Sequence, residues 1–394
     1  MNSVLRPMAH TTINVSSALR LDDHPALRAA CASSATLLAV VDIDPAWFVE
    51  TSLGFPRIGP HRASVMLQAI RAMRQQLQSL GSDLLIRIGP ATDDVSRQRA
   101  EASMLLHADD LPFSMANAPS VFTAMRQRVE RAGIRPRQPV PAPTHVPPPP
   151  SDVQFVPTPT LADLGVEPLP PDPRSSFPYQ TEGWGGGEED ALANVGDYFA
   201  SELPHTYKQT RNGLVGTDYS SKWSTWLAHG SISPRRIMHM LTDYEQRNGA
   251  NDGTYWLWFE LLWRDFFRMT EHAEEVDIRA LRPTASFEAW RTGSTGQPFV
   301  DAAMRELAAT GYTSNRMRQI AASYAVHDLG IDWLLGEAWF ASMLVDYDPW
   351  SNIGNWKYVA GVAHDPKGGR RFDPVKQAEM YDPDGAYRAL WSRT

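Results

Sequence analysis

Fourteen prolines crowd into the 38 residues from Pro136 to Pro173, four of them consecutive at Pro147–Pro150. Proline fixes φ and lacks the N–H that helices and central strands need, so neither element can run through this stretch. The chain must therefore fold on either side of an extended connector. Whether that connector lies along a surface or swings freely is open at this stage, and a role as ligand for proline-binding modules is the minor alternative. A length of 394 residues suits two or three domains. The expected boundaries are 1–134 for an α/β part, 135–178 for the connector and 179–394 for a helical part.

The first hundred residues alternate strand and helix. Leu37–Asp42 (LLAVVD) is continuously apolar, as a strand buried on both faces must be. From His61 to Leu80, Met66, Ile70, Met73, Leu77 and Leu80 recur at steps of four, three, four and three, which is one helical stripe. Gly81 follows where helices favour a left-handed residue. Leu84–Ile88 (LLIRI) completes a βαβ unit and hence a parallel sheet. Ala91–Asp109 is polar and helical at best, so the α/β part is small.

From Asp190 onward the pattern is helical. Thr254–Thr270, Val300–Thr310 and Asn315–Leu329 have the lengths of ordinary helices, and Gly311, Gly330 and Gly336 are expected at helix boundaries. Tryptophan is distributed unevenly: of 13, all but Trp47 and Trp184 lie from Trp223 onward. A core does not require so many indoles.

Composition excludes several classes. Lys and Arg number 37 against 45 Asp and Glu, a balance of −8 that argues against a generally basic nucleic-acid coat but not against one local face. A lone cysteine, Cys31, rules out an internal disulfide framework and cysteine-based zinc sites and points to a reducing cytoplasm. No apolar run reaches the roughly 18 residues of a spanning helix, and the start of the chain has no basic-then-apolar signal, so a soluble, unprocessed protein is expected.

Four clusters have chemical potential. Asp218–Ser224 (DYSSKWS) gathers Ser220, Ser221, Ser224 and Lys222 beside a helix start, suited to an anionic group such as a diphosphate; a serine-rich helix cap has the same look. Glu260, Trp263, Arg264 and Phe267 share one helix face, either an internal ion pair beside a core tryptophan or the floor of a cavity for a flat polar ligand. Asn315 and Arg318 lie one turn apart, and Asp346, Asp348, Ser351 and Asn352 follow a helix ending near Leu344; salt bridging or ligand binding accounts for them equally. His364–Arg371 is a basic, glycine-rich loop, either a solvated turn or a contact for a phosphate backbone. No zinc spacing, nucleophile elbow or cysteine dyad is present, so any hard chemistry belongs to a bound cofactor.

Taken together, these stretches resemble the photolyase/cryptochrome family and, within it, the DASH cryptochromes. The matching segments are YKQTRNGLVGTDYSSKWSTWLAHGSISPRRI from Tyr207, TYWLWFELLWRDFFRM from Thr254, TGYTSNRMRQIAAS from Thr310 and DLGIDWLLGEAWFASMLVDYDPWSNIGNWKYVAGVAHDP from Asp328. GFPRIGPHRAS at Gly54–Ser64, DDLPFS at Asp109–Ser114 and VFTAMRQRVE from Val121 are similar to DASH sequences too. The resemblance implies two domains: a small, trimmed, Rossmann-like α/β parallel-sheet domain, then an all-α domain binding FAD. It implies that Tyr207, Ser220, Ser221, Lys222 and Ser224 hold the diphosphate end and that Arg264 and Asn315 line the flavin cavity. Arg318 would pair with Asp346 over the ring system, Asp348 would make polar cofactor contacts, and Asn352 would face flavin N5. Glu260, Trp263, Asn315, Gln319, Trp356 and Tyr358 would face a pyrimidine dimer, with Arg211 and Gln377 at the DNA backbone. Trp290, Trp333 and Trp356 match the family's electron-transfer triad.

The activity so implied is blue-light repair of cyclobutane pyrimidine dimers, preferably in single-stranded DNA, by an electron from reduced FAD, in a cytoplasmic monomer. The alternative is a blue-light receptor in which flavin photoreduction replaces repair. Two departures from the family pattern stand out. The usual opening tryptophan–phenylalanine–arginine strand is replaced by TTINVSSALRL from Thr11, and only about twenty residues fill the space between Ile88 and Asp109, where a crossover unit takes roughly 30 or more. The shortening argues against the folate antenna (MTHF) usual in the family. Trp223 in the serine loop and Pro349-Trp350 beside Asp348 also depart from the pattern.

Overall fold

The computed structural model describes residues 11–90, 103–271, 278–365 and 368–392. Three parallel strands form one sheet in the order β1 (Thr11–Asn14), β2 (Leu37–Ile43), β3 (Leu84–Ile88). Every residue of β2 is buried, as its unbroken apolar run requires, and its register runs Leu37 opposite Thr11 and Ala39 opposite Leu84. The helix Pro60–Ser79 returns the chain between β2 and β3; Gly81 follows at φ +81°. β1 forms although the expected aromatic opening is missing, because Thr and Ile at Thr11–Ile13 supply strand propensity of their own. Of the polar stretch Ala91–Asp109, residues 91–102 lie outside the described part.

The connector is pinned to the α/β part. Leu37 N donates to the Pro148 carbonyl at 3.1 Å, Asp23 N to that of Val140 at 2.7 Å, and Val140 N returns a bond to Asp23 Oδ1 at 2.9 Å. Val146 and Val166 are buried in the sheet's own core. Proline cannot offer N–H groups, but its carbonyls and the few intervening residues suffice to fasten it.

Beyond Glu188 the described chain is helical. Asp252–Thr270, Pro298–Thr310 and Asn315–His327 match the periodic segments, and Gly311 and Gly330 close theirs at φ +69° and +64°. Gly336 corrects the expectation of a boundary: it sits inside the helix Trp333–Met343. A Cβ there would meet Trp356 Cη2 at 2.1 Å, so this glycine permits close approach rather than ending a helix. Two apolar cores result. One gathers Trp223, Trp226, Trp258 and Phe266 with Phe122 and Met125 of the helix Phe122–Arg131; the other gathers Trp290, Trp339, Phe340, Trp356 and Trp391. Most of the excess indoles are therefore core.

A buried polar clasp joins the two parts. Arg20 donates to the carbonyls of Asp22, Asp23 and Gly230, Arg235 Nε reaches Asp23 Oδ2 at 2.9 Å, and Glu188 accepts from Leu21 N and Asp22 N at 2.8 Å each. Arg20, Asp23 and Glu188 each have more than one partner, which is what makes such burial tolerable, while one Arg235 nitrogen, Nη2, is left without one among the described residues. The clasp fixes how the sheet meets the helices that carry the candidate site.

Candidate functional site

Three helices of the second part, Asn315–His327, Trp333–Met343 and Pro349–Ala360, line a cleft together with the loop from Leu344 to Asp348. Its wall includes eight residues singled out in the sequence: Asn315, Arg318, Gln319, Asp346, Asp348, Ser351, Asn352 and Trp356. Local chain chemistry positions them. Ser314 caps the helix Asn315–His327 by accepting from Met317 N, which sets Asn315, Arg318 and Gln319 in its first turns. Asp348 caps the helix Pro349–Ala360 in the same way through Ser351 N, with Pro349 preorganised as first residue. Asn352 and Trp356 then follow one and two turns on.

Arg318 Nη2 pairs with Asp346 at 3.0 Å. Burial alone would lower the Arg318 pKa, but the Asp346 charge beside it raises it instead. Asp348 is gripped by Arg268, a residue the sequence reading passed over. Burial pushes the Asp348 carboxyl up; Arg268, Arg264 and the Ser351 bonds outweigh it and hold the carboxyl below its ordinary value. Asn352 Nδ2 donates to Glu337 Oε1 at 2.9 Å, and burial raises the Glu337 carboxyl to about 7.

The serine loop makes a second group. Ser220 and Lys222 both adopt left-handed backbone, at φ +91° and +59°, uncommon for residues with side chains and frequent where a loop is shaped for binding. Lys222 is 3 % exposed; its ammonium stands 3.1 Å from the Tyr219 ring centroid and 5.2 Å from that of Tyr312. Tyr207 is buried next to Ser220, and burial carries its phenol well above the ordinary range. Ser221 is half-buried, whereas Ser224, first residue of the short helix Ser224–His229, is exposed.

The helix Asp252–Thr270 starts at a reciprocal cap between Asn251 and Thr254 and carries a third group. Glu260 accepts from Arg211, whose guanidinium lies 4.2 Å over the Trp256 ring. Arg211, expected at a DNA backbone, is thus drawn to the carboxylate. Burial raises the Glu260 pKa, with Arg211 opposing. Trp263 stands 5.8 Å from Tyr358 in an edge contact, bringing two expected dimer-facing rings together, but one face of the indole is stacked on Phe122 at 3.8 Å. Arg264, expected in the flavin cavity, donates to the carbonyls of Ser103 and Leu227. Burial and the neighbouring Arg268 lower its pKa to about 9.

Of the three expected wire residues, Trp356 and Trp290 meet edge to face at 6.0 Å, with Phe340 touching both, and both are buried. Trp333 is partly buried against the same core and is the more accessible of the three. Gln377 lies on the helix Pro374–Tyr381, apart from the cleft wall. His364 of the basic loop is tied to Glu271, which also accepts from Lys357 Nζ at 2.6 Å; Pro366 and Lys367 lie outside the described residues.

The sequence reading missed Arg268, Glu306 and Glu337. Glu306 is spaced with Ala302, Ala303, Leu307 and Thr310 on a buried stripe, and Glu337 with Trp333 and Phe340, so helical spacing was the available signal. The donor set suits a flavin dinucleotide. Among the described residues, Lys222 Nζ, Arg268 Nη1 and Asp346 Oδ1 are buried without hydrogen-bond partners. Two cations and an acceptor left so, with serine hydroxyls beside one of them, match a diphosphate and the polar edge of a ring system.

Comparison with known proteins agrees. Residues 256–393 match the model of the FAD binding domain of DNA photolyase, and residues 15–104 match that of DNA photolyase. Cryptochrome DASH of Gloeobacter violaceus is 41% identical, over 95% of this chain and 83% of its own length. That of Xenopus laevis is 38% identical, over 95% and 80%. The Synechocystis cryptochrome crystal structure superposes with a TM-score of 0.87 at 36% identity, covering 98% of this chain and 89% of that one. The Gloeobacter alignment runs to 424 positions, more than this chain contains, so the relative carries stretches without counterpart here. On the joint weight of fold, cleft and relatives, the chain belongs to the photolyase/cryptochrome family, in its DASH branch, with the family's FAD-binding domain.

Proposed function

We propose that the protein is a blue-light-dependent photolyase that splits cyclobutane pyrimidine dimers, preferably in single-stranded DNA, and acts as a cytoplasmic monomer. The observation that carries this reading is a half-buried carboxyl, Glu260, on the same helix face as Trp263 and within reach of Arg211. Light sensing by a flavin needs neither an acid nor an indole directed at a base pair lesion. Burial raises the Glu260 pKa, which favours a carboxyl able to donate a hydrogen bond as charge develops on the dimer. A lesion presenting its carbonyls to Glu260 takes the place of Arg211, which is then free for a phosphate. Trp263, Gln319 and Tyr358 offer stacking and amide contacts for unpaired bases, and flipping costs least where bases are already unpaired. The net charge of −8 suits a local strand contact better than a long duplex face.

Ser220, Ser221, Ser224, Lys222 and Tyr207 would hold the diphosphate. Arg318 with Asp346, Asp348, Asn315 and Asn352 would hold the ring system, Asn352 facing N5. Bound in reduced form, FAD supplies the photochemical electron. Trp356, Trp290 and Trp333 supply electrons toward that site from the protein. Only about twenty residues lie between Ile88 and Asp109, too few for a crossover unit of roughly 30, which argues against a folate antenna.

Illumination of the reduced holoprotein with a dimer-containing oligothymidine tests the proposal. Recovery of thymine absorbance supports it. No recovery, with FAD bound and reducible, sinks it in favour of a photoreceptor.

A further inference from the structure

Glu306 sits in the helix Pro298–Thr310 with no exposed surface. Its Oε2 accepts from Thr313 Oγ1 and from Tyr387 Oη, each at 2.6 Å, and its Oε1 accepts from Ser176 Oγ at 3.4 Å. A loop, the last helix and the end of the connector thus converge on one carboxyl. The cation facing it is Lys222, whose ammonium has no hydrogen-bond acceptor among the described residues and rests on the Tyr219 ring. The other titratable groups around the pair are Tyr219, Tyr312 and Tyr387, with Arg318, Asp346 and Asp218 acting on Lys222 as well. Burial lifts the Glu306 carboxyl to about 7 and drives Lys222 well below an ordinary lysine. Near neutral pH, then, the pair gains or loses a proton at little cost.

We propose that Glu306 is a positioning residue for the cofactor: the FAD diphosphate takes Lys222 as its cation, and Glu306 takes up a solvent proton as the diphosphate arrives. The inference rests on the reading that Lys222 and its neighbouring serines hold the diphosphate. An anion placed beside Lys222 disfavours a second negative charge on Glu306, so bound cofactor and protonated Glu306 stabilise one another. The coupling is reciprocal. Deprotonating Glu306 at higher pH must weaken the cofactor by the same factor. Oxidised FAD, the form followed here, has no group that titrates in the neutral range, so the pH dependence belongs to the protein.

The test is to dilute holoprotein into buffers from about pH 6 to about pH 9 and follow the fluorescence of released flavin, giving a dissociation constant at each pH. The wild-type constant should be level below about pH 7 and rise toward tenfold per unit above it, the slope of one proton. Glu306→Gln, which keeps the acceptor for Thr313 and Tyr387 but cannot ionise, should lose that slope; a slope equal to wild type overturns the proposal. Tyr387→Phe removes a donor that favours the carboxylate and should move the onset to higher pH. An unmoved onset counts against the proposal even if Glu306→Gln fails to fold. Lys222→Met tests the underlying reading separately. Unchanged FAD retention at every pH removes Lys222 from the diphosphate site, whereas weakened retention with a persistent slope in Glu306→Gln sinks the role of Glu306 alone.

Discussion

The side-chain amide of Asn352 donates to the carboxylate of Glu337 at 2.9 Å and to the backbone carbonyl of the same residue at 3.2 Å. Both amide protons are committed to the helix Trp333–Met343, so the amide oxygen is the group left for the cleft. Asn352→Leu removes the donor and leaves Glu337, 3 % exposed, without it. The expected cost is about 2 kcal/mol, the penalty for stranding a buried acceptor, read as a lower urea midpoint at unchanged m-value. A midpoint equal to wild type would show that the bond is replaced.

Glu306 and Glu337 are both raised from 4.5 to about 7, by burial first. A carboxyl whose folded pKa is raised contributes stability that is full below its unfolded value and lost as pH rises through the folded one. Unfolding free energy should therefore fall between about pH 4.5 and pH 7 by about 3 kcal/mol for Glu337, while bound FAD carries the Glu306 share to higher pH. Urea titrations of the holoprotein across that range check it. Glu337→Gln should flatten its own share of the decline; an equally steep decline in that variant would assign the loss to other groups.

The elements legible in the sequence are those whose signal is local. The apolar run of β2 and the stripe from Met66 to Leu80 with Gly81 after it each depend on residues within a few positions. Gly336 misled because glycine has two uses, and only the position of Trp356, twenty residues on, decides between them. The pinning of the connector depends on Leu37 meeting Pro148, and the capture of Arg211 on Glu260 lying 49 residues away. Family motifs brought the cleft residues together on paper. They could not show that Phe122 covers one face of Trp263, because that helix comes from the first part of the chain.

Asp346 and Arg318 form an ion pair with side chains 2% and 20% exposed. Removing one partner of a buried pair strands the other, at about 3 kcal/mol. Asp346→Asn should lower the urea midpoint accordingly and weaken retention of FAD. The double variant with Arg318→Met should lose less than the two single variants added together, and strict additivity would mean that the pair is not energetically coupled.

Gly336→Ala probes the tryptophan contact without touching a ring. The new methyl would stand 2.1 Å from Trp356 Cη2 and 2.6 Å from Cζ3. Trp356, 2% exposed, is backed by Trp290 at 6.0 Å and Phe340 at 5.1 Å, so the indole has no free space to retreat into. Overpacking of this kind costs about 1–3 kcal/mol, visible as a lower melting temperature with a changed near-ultraviolet circular dichroism. If Trp356 passes electrons toward the flavin site, its displacement should also slow photoreduction of oxidised holoprotein, as Trp333→Phe and Trp290→Phe should. Repair by chemically prereduced protein should survive in those two phenylalanine variants, whose side chains need not touch substrate. Loss of repair alongside photoreduction in Trp333→Phe would remove it from the wire and make its role structural.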